Sequence, residues 1–60
     1  MKTALVRTQE NNLKIIRDDF YRTNDEMAME LRGNGFKVLK VWNSNVSDID
    51  VDNWEFMNRR

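Results

Sequence analysis

Asp18 and Asp19 stand side by side in the run Arg17-Asp18-Asp19. Carboxylate pairs hold the metal ions of many nucleases and phosphotransferases. Neighbouring side chains on a strand point to opposite faces, however, so these two would not converge if the run is extended. A second acidic run, Asp48-Ile49-Asp50-Val51-Asp52, places carboxylates at alternate positions, as the opening of a calcium loop does. Such a loop also needs a glycine at its sixth position and a bidentate glutamate at its twelfth. Those positions are Asn53 and Arg59, so the calcium motif fails. Histidine and cysteine are both absent, which removes Ser/His/Asp and Cys/His nucleophiles together with the usual zinc ligands. The residues therefore assign no catalytic group, no metal site and no cofactor, and the chain is expected not to be an enzyme.

Recognition is the chemistry that remains. Arg17, Arg22, Lys37 and Lys40 are interleaved with Phe20, Tyr21 and Trp42. Cations that hold phosphates beside aromatics that stack bases would make a nucleic-acid surface. Ten acidic residues balance ten basic ones, which weighs against a general DNA binder. Aromatic residues also serve more often as core than as stacking platforms. Met29, Trp42, Trp54 and Phe56 are the candidate contacts for a protein partner, because contiguous exposed apolar surface marks partner sites. The expected function is a small binding or regulatory protein acting on a protein partner. A nucleic-acid-binding module is the alternative, and a metal-dependent nuclease-like protein a further one.

These residues must be carried by a single small domain of 60 residues. No run approaches the ~20 apolar residues of a membrane span, and Ala4–Val6 is too short for a signal-peptide core. The chain reads as cytoplasmic and complete. Residues 3–8 predict a strand, residues 9–12 a turn, and residues 13–17 a second strand reaching as far as Tyr21, together a hairpin. Leu13, Ile16, Phe20 and Met27 also fit helical spacing, so residues 13–32 have a helical rival reading. The run Thr23-Asn24-Asp25-Glu26 is a capping box, which starts a helix over 24–32 with Met27, Ala28 and Leu31 on one face. Glu26, Met29 and Glu30 point elsewhere. Gly33 and Gly35 supply a left-handed stop.

Residues 35–42, Gly-Phe-Lys-Val-Leu-Lys-Val-Trp, predict the third strand. Strict alternation puts Phe36 and Val38 on one face and Leu39 and Val41 on the other, so the strand is apolar on both. The helix covers one face. The second face needs either another subunit, which favours a homodimer, or the Trp54/Phe56/Met57 segment. Residues 46–52 alternate like a charge-protected edge strand, or form a loop into a last helix capped by Asp52-Asn53 with Arg59 and Arg60 at its negative end. The expected fold is α+β: a small β-β-α-β domain with a short C-terminal strand or helix.

The run Leu31-x-x-x-Gly35-Phe36-x-Val38-Leu39-x-Val41-Trp42 resembles the helix–strand segment of the very-short-patch-repair endonucleases and their small restriction-endonuclease-like relatives. The likeness covers residues 24–46. It implies Mg²⁺-dependent DNA cleavage, with catalytic carboxylates and histidines upstream on a strand ending in an acidic residue. This chain has no histidine and no matching Asp-Gly strand end, so no catalytic residue carries over.

Overall fold

The computed structural model describes residues 1–59. Five elements follow one another: β1 (Lys2–Arg7), β2 (Leu13–Asp18), α1 (Asn24–Gly33), β3 (Lys37–Trp42) and α2 (Asp48–Asn58). The strands form one sheet in the order β2-β1-β3, with both pairings antiparallel. The two outer strands therefore run parallel, joined by α1 across the central strand. This is the expected α+β domain, closed by a C-terminal helix.

The hairpin reading holds over residues 13–18. Asn11 takes the left-handed conformation (φ 70°) in a turn closed by Thr8 N–H donating to Asn12 C=O at 2.8 Å. The strand stops at Asp18, short of Tyr21, because the Asp18 carboxylate accepts the backbone N–H of Phe20 at 2.7 Å and turns the chain. α1 starts as the capping box predicts: the Thr23 hydroxyl accepts the N–H of Glu26 at 3.0 Å. Its end needs one left-handed glycine rather than two. Gly35 (φ 92°) makes the reversal, and Gly33 is the last helical residue.

The strand buried on both faces is β1. Ala4 and Val6 pack with Met27 and Leu31 of α1 on one side, while Thr3 and Leu5 are buried on the other. β3 departs from strict alternation. A bulge at Leu39 shifts the register, so that Val38 faces Val6 but Val41 faces Ala4. Phe36, Val38 and Val41 thus all join the α1-side core, which corrects the assignment of Val41 to the second face. Much of the apparent two-faced greasiness of β3 is this change of phase.

The second face is covered by α2 of the same chain. The helix begins at Asp48, four residues before the expected cap, because the Ser47 hydroxyl accepts the N–H of Asp50 at 3.2 Å. The alternation of residues 46–52 is thus not a strand. Val51 is fully buried, and the Trp54 ring meets Trp42 edge to face at 5.7 Å. Phe56 and Met57, expected to help cover the sheet, face solvent instead. Two residues tie the helix down. The buried Thr3 hydroxyl donates to Ser44 C=O at 2.8 Å and accepts from Val46 N–H at 2.9 Å. Arg17 donates to Val46 C=O at 2.7 Å and to the Asp48 carboxylate at 2.5 Å. Arg59 pairs with Glu55 one turn back; Arg60, its expected companion at the helix end, lies outside the described residues. A second subunit is not needed to cover this face.

Candidate functional site

The four residues put forward for a protein partner fall into three settings. Trp42 and Trp54 are half-buried against one another and serve to close the second sheet face. Phe56 lies on the outer side of α2 with Ile49 and Met57, all three exposed. Met29 lies on the outer side of α1, across the sheet from Phe56, and is 70% exposed. The four do not make one surface.

Met29 instead belongs to a cleft of about 410 Å³ shared with Phe20, Tyr21, Glu26 and Glu30. Glu26, Met29 and Glu30 form one stripe of α1, set by their spacing of three and four residues. The facing wall is the turn after β2. The Asp18 bond that ends the strand throws Phe20 outward, where it is 83% exposed, and brings Tyr21 in against the core. The two rings stand edge to face, 5.4 Å apart at 89°. Burial raises the Tyr21 hydroxyl above its ordinary pKa of 10.0, and the charges of Glu30 and Asp18 raise it further. The cleft is thus apolar at its floor and negative at its rim.

The basic candidates are also dispersed. Arg17 is engaged by Val46 and Asp48. Arg22 lines a different cleft, of about 330 Å³, with Lys2, Asn24 and Asn43. Lys37 and Lys40 lie on β3, opposite Arg7 and Leu5 of β1. Of the carboxylates, Asp19 pairs with the N-terminal ammonium at 2.8 Å, Asp18 turns the chain at Phe20, and Asp48 holds Arg17. Among the described residues, no three acidic side chains are grouped to hold a metal ion, and no helix is long and apolar enough to cross a membrane.

In the sequence Phe20 and Tyr21 read as stacking aromatics, and Glu26 and Glu30 as the outer face of α1, and neither reading joins the two pairs. The signal that joins them is the pair of aromatics placed between a strand-ending aspartate and a capping box. A side chain there can neither continue the strand nor enter the helix. The stretch that resembles the very-short-patch-repair endonucleases, residues 24–46, folds as α1, β3 and the start of the following loop. Compared with protein-family models, curated proteins and solved structures, the chain finds no match.

Proposed function

We propose that this chain is a non-enzymatic binding module that recognises a protein partner through the Phe20–Tyr21–Met29 cleft. The observation that carries the reading is the pairing of two large, freely exposed apolar side chains in one cleft rimmed by Glu26 and Glu30. Exposed apolar surface rimmed by polar groups is the usual mark of a partner site. The rim calls for a partner with an apolar anchor flanked by lysine or arginine. The engaged state of Asp18, Asp19 and Asp48 supports the non-enzymatic part. The cysteine-free composition suits a cytoplasmic regulator. A homodimer belongs to the same reading, but on new grounds: it no longer follows from an open sheet face and rests on the free edge of β2.

The test is affinity capture from host lysate with three baits: the natural chain, a Phe20→Ser/Met29→Ser variant, and a Phe56→Ser/Met57→Ser control. A protein held by the first and third baits and lost from the second supports the reading. The same captured set on all three baits contradicts it. A second reading, nucleic-acid binding, retains one supporting observation: Arg7, Lys37 and Lys40 lie close together on paired strands of the sheet. Binding that falls steeply with added salt and weakens in Lys37→Ala/Lys40→Ala would favour it.

A further inference from the structure

β2 is an outer strand, so one row of its backbone N–H and C=O groups has no partner within the sheet. The other outer strand, β3, carries a bulge and two lysines, features that discourage strand addition. β2 has no bulge: all six residues keep register against β1. α1 packs mainly toward β3, and Leu13, Lys14 and Arg17 of β2 are exposed.

We propose that two copies of this chain pair antiparallel through β2, about a two-fold axis at Ile16. Only a residue that turns its backbone groups outward can bond another that does the same, so the axis must pass through a residue. An axis at Lys14, Arg17 or Asp18 sets like charges against each other. An axis at Ile15 sets Leu13 against Arg17 and Lys14 against Ile16, and an axis at Leu13 sets Lys14 against Asn12, so neither pairs opposite charges. An axis at Ile16 sets Ile15 against Arg17 on one face, but on the other it puts Lys14 of each copy opposite Asp18 of the other, beside the two Ile16 side chains. Within a single chain, among the described residues, neither Lys14 nor Asp18 is in an ion pair. Lys14 lies over the Phe36 ring, 5.7 Å from its centre, and swings outward to reach the second copy. Asp18 bonds the Phe20 N–H through one oxygen and keeps the other for the pair. Alone, Lys14 is the kind of charge that guards an edge; opposite Asp18 it becomes the attraction. This inference rests on the homodimer reading and gives it a surface, independent of the partner cleft.

Sedimentation equilibrium over a concentration series tests it with the natural chain, Lys14→Asp, Asp18→Lys and an equimolar mixture of the two variants. The natural chain forms a dimer. Each variant alone dimerises about tenfold more weakly or worse, since both cross-strand pairs become repulsive. The mixture dimerises again, because a Lys14→Asp chain offers only acids at these two positions and an Asp18→Lys chain only bases. Both cross-strand contacts between unlike chains are then attractive. Mixing cannot repair a variant that fails to fold, so recovery isolates the charge pairing. A natural chain that is monomeric throughout overturns both the dimer and this surface. A dimer indifferent to either substitution, or variants that are folded by circular dichroism yet stay apart when mixed, overturns the β2 pairing and leaves a homodimer by another surface.

Discussion

Tyr21 is the only tyrosine, half-buried beside Phe20 and within the field of Glu30 and Asp18. The folded chain therefore holds the phenolic proton more tightly than the unfolded chain, whose tyrosine ionises near 10.0. Below that pH both states carry the proton and stability is unaffected. Above it the unfolded state releases its proton first, and stability falls. An ultraviolet titration of the phenolate is expected to show a midpoint above 10.0, lowered but still elevated in Glu30→Gln, since burial is the larger cause. A midpoint at the ordinary value would mean that the cleft is neither apolar nor negative. At the same scale, the adjacent acids Asp18 and Asp19 show why a carboxylate pair is weak evidence for a metal. One turns the backbone and the other meets the N-terminus.

At the level of elements, local chemistry was legible where it is self-contained. The capping box at Thr23, the apolar face of α1 and the hairpin turn need only residues close in sequence. Two features were not legible. The bulge at Leu39 exists because β3 must follow β1, and no residue within 36–42 announces it. The last helix is one of the two readings of the sequence, but its first turn was hidden because Asp48, Asp50 and Asp52 alternate with apolar residues, as in a strand. The overlooked cue was Ser47, whose hydroxyl caps the N–H of Asp50, with Val51 and Trp54 three apart on the inner face. The cleft was half legible: the outward stripe of α1 was read, but its facing wall depends on the Asp18 turn. The anchoring of α2 gives a prediction. Thr3→Val keeps the buried volume but removes both hydroxyl bonds, leaving Val46 N–H and Ser44 C=O without it. A loss of about 1–3 kcal/mol is expected in denaturant unfolding, with the earliest hydrogen exchange in α2. Unchanged stability would show that α2 is held by apolar contact alone.

Across the whole molecule, a core of seven buried apolar residues among those described leaves little stability in reserve. Met27 and Met29 test the partition of the surface. Met27 is fully buried and Met29 is 70% exposed, two residues apart on one helix. Met27→Ala is expected to cost about 2–5 kcal/mol, enough to unfold most of so small a domain. Met29→Ala should stay within about 0.5 kcal/mol while weakening the partner contact. Similar losses at both positions would mean that α1 is rotated from the orientation described.

The central claim is that one chain closes both faces of its own sheet, leaving the outer surfaces of α1, α2 and β2 free to meet other molecules. Nuclear Overhauser contacts in a dilute, monomeric sample test this most directly. Cross-peaks joining the Trp42 and Trp54 rings, and placing the Val51 methyls against Leu5, are the expected result. Their absence, with residues 48–58 at random-coil shifts until concentration rises, would show that a second molecule provides the cover.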